Sequence, residues 1–461
     1  MEKRIQVAIP KMFVTYSERL QMISFVVRTP TFHSKLPTAS YSSRFYKAAI
    51  ICAVVLNAFG FSLLSAQSAQ EILARPEVKA AMETIRTSEP RIVDEQKSIC
   101  EIASPPFHEE TRAAEIERLF KDAGLVDVRI DKAGNVLGDR PGVAPHPHLV
   151  IAAHLDTVFP PGTDVHVTRE GNVLKGPGIG DDCRGLAALL SIIQAMKKAD
   201  LQTRGTVTFV ADVGEEGLGD LRGMKELFGT TLKGKVDDFI SIEAGDVNRV
   251  TDAGVGSFRY KVQFSGPGGH SFGAFGNANP INALGRAEAH IADFQVPTDP
   301  KTTFNAGVIG GGTSINSIPF EAWLEFDERS TDPKSLDELD ARFKRAVQAG
   351  LEEENARWHD KGKLSVKIER VGERPAGHTD RNSEIVRVAA DSIRALHLGD
   401  PSFDASSSDS NVPMGLGIPA ITIGGGGHSQ FTHSLNETDD VTDSYLGPQN
   451  ALLIILSLLR Q

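Results

Sequence analysis

At 461 residues the chain exceeds the size at which one hydrophobic core keeps growing, so two domains are expected. Its 40% hydrophobic and 24% charged residues place it among ordinary globular proteins. The net charge of −11 is uneven: residues 1–47 hold eight Lys/Arg against two Glu, which leaves −17 on the remainder and argues against a nucleic-acid partner, since phosphate binding needs a basic face.

Residues 1–68 read as an N-terminal extension and signal peptide. Arg44 and Lys47 precede the apolar run from Ala48 to Phe61, and Leu63-Leu64-Ser65-Ala66-Gln67-Ser68-Ala69 supplies small residues for cleavage. The extension ahead of the run is long, and Met22 is a candidate start. The run is short for a membrane span and contains Asn57, so export is expected, with a membrane anchor over residues 48–66 as the alternative. Cys52 lies in the run. Cys100 and Cys183 make neither a disulfide framework nor a Cys-x-x-Cys, and no role is expected for them.

The mature chain opens its readable pattern at Glu109, where helical spacing runs to a Gly124 C-cap. Val126 to Ile130 and Asn135-Val136-Leu137 are predicted strands around the Lys132-Ala133-Gly134 turn. Leu149-Val150-Ile151 reads as a buried parallel strand that delivers His154-Leu155-Asp156 at its end. Next, Gly178-Ile179-Gly180-Asp181-Asp182 runs into a helix from Leu186. One Asp is enough to cap that helix, so the second is left over. Thr206 to Val213 is a buried strand ending at Gly214-Glu215-Glu216-Gly217, and Asp238 to Ile242 is another, ending at Glu243.

From about Val255 the pattern alternates, as in an antiparallel sheet with one wet face. Phe258 to Phe264, a helix from Asn279-Pro280, Thr302 to Ile309, Pro319 to Glu328, a long helix opened by a Ser335 to Glu338 capping box, and Leu364 to Glu369 give a β-α-β-β-α-β order. That order resembles a ferredoxin-like domain inserted into the first one. After Gly377 come a helix over 383–398, a polar loop Ser406 to Asn411, a strand Ala420 to Ile423, a glycine run to His428, then His433-Ser434-Leu435-Asn436-Glu437, and a closing helix over 448–459. The expected divisions are 69–252 and 375–461 for the two parts of an α/β catalytic domain, and 253–374 for the insertion.

His154/Asp156, Asp181/Asp182, Glu215/Glu216, Glu243 and His433 thus stand at strand or loop ends. Histidine and carboxylate without cysteine suit Zn²⁺ foremost, with Mn²⁺ or Co²⁺ as alternatives. The carboxylates are too many for one catalytic zinc and fit two ions sharing a water.

On these motifs, with Gly268-Gly269-His270-Ser271, residues 75–461 resemble the co-catalytic zinc exopeptidases and amidohydrolases. That family includes carboxypeptidase G, peptidase T, aminoacylase-1, acetylornithine deacetylase and succinyl-diaminopimelate desuccinylase. The resemblance implies a mostly parallel sheet flanked by helices and an inserted lid and dimerisation domain. It implies two Zn²⁺ held by His154, Asp181 as bridge, Glu216, Glu243 and His433, which is preferred over His428 because Ser434 and Glu437 follow it. Asp156 is implied to orient His154, with Asp182 behind the ligands and Glu215 as general base. His270 is implied to reach the oxyanion, and Asn316 and Arg329 to bind a substrate carboxylate. Relatives often carry Lys where Cys183-Arg184 stand here. The implied activity is hydrolysis of small peptides by a peptidase T-like aminopeptidase or a carboxypeptidase. The alternatives are a deacylase of N-acyl amino acids or a metal-free binding protein. A homodimer through the insertion is implied, and no stable membrane insertion after cleavage.

Overall fold

A computed structural model describes residues 68–460. The expected apolar run and nearly all of its cleavage region lie outside the described residues. Among the described residues no helix is long and apolar enough to cross a membrane.

Three helices come first: α1 (Ala69–Ala74), α2 (Pro76–Cys100) and α3 (Glu110–Ala123). Strands β1 (Val126–Ile130), β2 (Val136–Arg140) and β3 (His148–His154) follow, then the short pair β4 (Thr168–Glu170) and β5 (Val173–Lys175). Helix α4 (Cys183–Lys198), β6 (Thr206–Asp212), α5 (Arg222–Glu226), β7 (Asp238–Glu243) and β8 (Arg249–Gly254) complete the first part. The insertion runs β9 (Gly256–Ser265), β10 (Gly269–His270), α6 (Pro280–Ala292), β11 (Thr302–Gly311), β12 (Ser317–Ile318), β13 (Glu321–Ser330), α7 (Pro333–Arg357) and β14 (Ser365–Arg374). The return comprises β15 (Gly377–His378), α8 (Glu384–Ala395), β16 (Ser402–Ser406), α9 (Asn411–Gly415), β17 (Ala420–Gly424), β18 (His428–Gln430), β19 (Thr438–Asp440) and α10 (Leu446–Leu458).

The central sheet has the order β1-β2-β6-β3-β7-β17-β8-β15, with β16 also beside β8. Its middle strands β6, β3, β7 and β17 are parallel, and antiparallel strands flank them. The apolar run of β3 follows from burial on both faces. Leu149, Ile151 and Ala153 pack into the core shared with helices α1 to α4, α8 and α10, while Val150 and Ala152 join Met224, Phe228 and Phe239 on the other side. Parallel strands end at one edge, so His154, Asp212 and Glu243 finish together, with His154 in register with Asp212 and Glu243 with Gly424. A second sheet, β18-β19-β5-β4, presents its β18–β19 connection, with His433, beside that edge.

The inserted sheet has the antiparallel order β11-β13-β9-β14. Its inner face packs on α6 and α7 through Tyr260, Phe264, Leu284, Phe326 and Phe343, with the Phe326 and Phe343 rings stacked at 4.1 Å. Its other face carries the alternate residues Arg259, Asp327 and Arg329.

Three local features differ from the sequence reading. Helix α2 is the first. Its buried stripe includes the polar Glu89 and Gln96, and Pro90 sits in its interior, so neither apolar period nor composition marks it. Glu89 accepts from Arg184 at 3.0 Å, and Gln96 donates to Ile179 O and to Asp439, which is why polar groups are tolerated there. Second, α7 starts before Ser335. Asp332 is the N-cap and accepts from the Ser335 N–H at 2.8 Å, with Pro333 at the first helical position. Third, Cys100 and Cys183, expected to have no role, form a disulfide that ties the end of α2 to the start of α4, 83 residues apart in sequence. The helices bring the two sulfurs together, and no sequence spacing announces it.

Candidate metal centre and active site

His154 ends β3 and is buried. Its Nδ1 lies 3.0 Å from the backbone oxygen of Asp156, so that nitrogen donates there, and Nε2 faces Asp181 Oδ1 at 2.9 Å. The Asp156 carboxylate is 3.7 Å from Nδ1 and is engaged elsewhere. It accepts from the amides of Gly214 (2.8 Å), Glu215 (3.1 Å) and Glu216 (2.9 Å). A peptide carbonyl therefore holds the imidazole, and the Asp156 side chain holds the loop that carries the two glutamates.

Glu437 repeats this device on the opposite side. It accepts from the amides of Gly178, Gly180 and Asp181 at 3.2, 2.9 and 3.0 Å, fixing the turn that presents Asp181. Asp182 points inward, accepting from Gly185 N–H at 2.9 Å as the α4 cap and from His154 N–H at 3.1 Å. The two adjacent aspartates are thus divided: Asp182 is structural, and Asp181 faces the cavity.

His433 Nε2 lies 2.9 Å from Glu216 Oε1 and 3.2 Å from Asp181 Oδ2. His428 is exposed, 3.7 Å from Asp246, and does not line the cavity. Glu215 is buried against Arg374, whose Nη1 is 2.9 Å away. Ligand atoms of His154, Glu215 and Glu216 lie within 4.8 Å of one another, as do those of Asp181, Glu216 and His433. Glu243 Oε1 is buried without a hydrogen-bond partner among the described residues.

The electrostatics follow from burying acids with too few cations. Burial pushes the Glu215 carboxyl up to about 7 despite Arg374, and Asp212 up to about 8. Burial likewise drives Glu243, Asp182 and Asp409 well above the usual carboxylate range. Burial alone would depress His154, but the carboxylates of Asp181, Asp182 and Asp156 outweigh it and raise it. Hydrogen bonds to Asp181 and Glu216 lift His433 to about 10. An orphaned carboxylate oxygen, two imidazoles and a surplus of buried acid are the donor set a divalent cation fits.

Asp181, Glu215, Glu216, Glu243 and His433 line a cavity of about 570 Å³. Its walls also carry Arg249, Arg259, Arg329, Arg374, Ser406 and Ser407. Arg329 is the one expected substrate binder brought there. His270 and Asn316 do not line the cavity but neighbour each other on the β10–β12 ribbon, where Ser271 N–H donates to Asn316 O at 2.9 Å. His270 is exposed, and its Nδ1 accepts from the amides of Phe272 and Gly273, which leaves Nε2–H as an outward donor.

Several site residues escape the sequence reading. Arg374 lies at the end of β14, five residues past the strand expected to stop at Glu369. Arg259 reads as an ordinary wet-face residue of β9. Arg112, fully buried, donates to the carbonyls of Leu155, Cys100 and Ile102, supporting the His154–Asp156 turn from below. Helical spacing gave it no distinction.

Residues 150–449 match the family described as Peptidase family M20/M25/M40. An uncharacterized protein, YqjE of Bacillus subtilis (strain 168), is 26% identical over 366 residues, covering 76% of this chain and 93% of its own. A probable succinyl-diaminopimelate desuccinylase of Staphylococcus aureus (strain Mu50) is 25% identical over 296 residues, 53% of this chain and 67% of its own. The crystal structure of a tripeptidase from Staphylococcus aureus superposes with a TM-score of 0.68 at 25% identity, covering 81% of this chain and 99% of that one.

Proposed function

The chain belongs to peptidase family M20/M25/M40, metal-dependent hydrolases of peptide and amide bonds, and from that premise we propose that it is a dinuclear zinc exopeptidase of small peptides. The observation that carries the reading is the convergence of His154, Asp181, Glu216 and His433 around a buried Glu215, beside the orphaned oxygen of Glu243. In this reading His154, Asp181, Glu216, Glu243 and His433 hold the ions. When bound, two cations lower the pKa of water and stabilise developing negative charge on the carbonyl oxygen.

The protein's own groups do the rest. Glu215, buried beside the proposed ligands, takes a proton from the attacking water and hands it to the leaving amine. Asp156 keeps Glu215 and Glu216 in place through their amides. His270, from the lid formed by residues 253–374, donates Nε2–H to the oxyanion, and Asn316 assists Arg329 on a substrate carboxylate. Since His270 and Asn316 stand outside this cavity, the reading has them arrive by lid movement or from the partner of a homodimer. The open edge of β11, with Val308 and Ile309 exposed, supports pairing of two copies. Export is supported by the leader-like residues and by the Cys100–Cys183 disulfide, which suits an oxidising compartment. Deacylation of N-acyl amino acids is the second reading, favoured by the desuccinylase relative.

The test is metal analysis of the purified chain with a panel of dipeptides, tripeptides and N-acyl amino acids. Two ions per chain and hydrolysis abolished by chelation are expected. Glu215→Gln should retain the metal and lose about 10³-fold in kcat. Full activity without metal, or an unchanged rate in Glu215→Gln, overturns the reading.

A further inference from the structure

The turn that presents Asp181 is anchored in a small core of its own. Val167, Leu174, Ile179 and Val441 gather there with Cys100 and Cys183, apart from the larger cores of the central and inserted sheets. Ile179 and Cys183 belong to the turn itself. Cys183 is the first residue of α4, two residues past Asp181, and its N–H donates to Gly178 O at 3.2 Å. Cys100 is the last residue of α2, and its carbonyl accepts from Arg112 Nη2 at 3.2 Å. The same guanidinium donates from Nη1 to Leu155 O at 2.8 Å. One end of the disulfide thus reaches the His154–Asp156 turn through Arg112, and the other reaches Asp181 through the chain. The loop it closes spans 83 residues and contains His154, Asp156 and Asp181. The other ties of the turn to its surroundings are hydrogen bonds, from its amides to Glu437 and from Gln96 to Ile179 O at 2.8 Å.

We infer that the Cys100–Cys183 disulfide is a positioning element for the metal centre, holding Asp181 against the end of β3 so that the site reaches full metal affinity only once the bond has formed. The inference rests on the metal-hydrolase reading above, and adds to it two residues outside the ligand set. Asp181 has little room to move, because its Oδ1 lies 2.9 Å from His154 Nε2 while its Oδ2 lies 3.2 Å from His433 Nε2. A carboxylate that must meet two imidazoles at once depends on what fixes its backbone. A segment resting on few buried apolar contacts opens locally at low cost, and a covalent tie removes that freedom. Both sulfurs are buried, so the bond is shielded in the folded chain.

The experiment uses the full chain, freed of metal, in oxidised and reduced form. A phosphine reductant opens the bond: the two sulfurs become thiols, and the phosphorus takes the oxygen of one water. The reductant is removed, and thiol titration confirms the gain of two thiols. Zinc affinity is then read by competition with a chromophoric chelator. The reduced chain should bind zinc about tenfold or more weakly than the oxidised one. The pair Cys100→Ser and Cys183→Ser, which cannot bind zinc through sulfur, should match the reduced chain and ignore the reductant. If the serine pair does not fold, Cys100→Ala with Cys183→Val carries the same expectation. Ile291→Ala, in the core of the inserted domain, is the control for stability alone: it should lower the thermal midpoint and leave zinc affinity as in the wild type. Equal zinc affinity in the oxidised and reduced chains overturns the inference and leaves the metal-hydrolase reading intact. An equal loss of affinity in Ile291→Ala makes the bond merely stabilising and also overturns it. Failure of the oxidised wild type to bind zinc overturns both.

Discussion

The carboxyl edge of the central sheet and the outward face of the inserted sheet line one cavity with opposite chemistry. The edge contributes Asp181, Glu215, Glu216 and Glu243, and the inserted sheet contributes Arg259 and Arg329. At the edge, position is set by buried carboxylates clasped by backbone amides, three on Asp156 and three on Glu437. On the inserted sheet, position is set by one half-exposed carboxylate, Asp327, gripping two side chains. Buried negative charge needs fixed donors and a cation to be tolerated, whereas a solvated guanidinium needs only to be aimed.

The sharpest way to break that contrast is inside the edge itself. His154→Ala removes an imidazole whose Nε2 faces Asp181, and it should lose bound metal and about 10³-fold or more in activity. Asp156→Asn leaves the ring on its backbone carbonyl but turns an amide NH₂ toward amide donors. It should keep most of the metal, lower kcat roughly 10²-fold, and destabilise the fold by about 1–3 kcal/mol. Metal content by elemental analysis and thermal unfolding separate the two. Equal metal loss in both variants would mean that the carboxylate, not the carbonyl, holds the ring. A smaller effect is expected from the β10–β12 ribbon, outside the cavity: His270→Ala should cost about ten- to a hundredfold in kcat with metal content unchanged. Parallel loss of metal and turnover would make His270 structural.

Sequence reading goes furthest where chemistry coincides with a strand end. His154, Glu215/Glu216 and Glu243 each follow an apolar run, so both their position and their grouping are legible, and the α/β class with its β-α-β-β-α-β insertion follows from the change of period at Val255. It falls short where meaning depends on a partner from another element. Asp156 reads as the aid to His154, but its amide partners lie on the 214–216 loop. In the sequence Glu437 serves only to favour His433 over His428, although it shapes the Asp181 turn. Asp327 and Arg259 look like solvated alternation until the register of β9 and β13 pairs them. The disulfide and the polar-lined helix α2 leave no local signal for the same reason.

The inserted domain also holds a buried acid without the edge's amide clasp, and it makes the contrast measurable by pH. Among the described residues neither oxygen of Glu328 has a hydrogen-bond partner, and the side chain is fully buried. Burial, with Asp340 adding to it, pushes its carboxyl up to about 8, and Lys344 and Arg370 offset this only in part. A carboxyl raised above its unfolded value of about 4.3 binds more protons in the folded state, so its contribution to stability is lost as pH rises between about 4 and 8. Glu328→Gln cannot ionise and escapes that loss. The variant should match the wild type in thermal midpoint near pH 4 and exceed it by about 2–4 °C at pH 9. A difference that is constant across this range would show that Glu328 keeps an ordinary pKa, and that Lys344 and Arg370 compensate it in full.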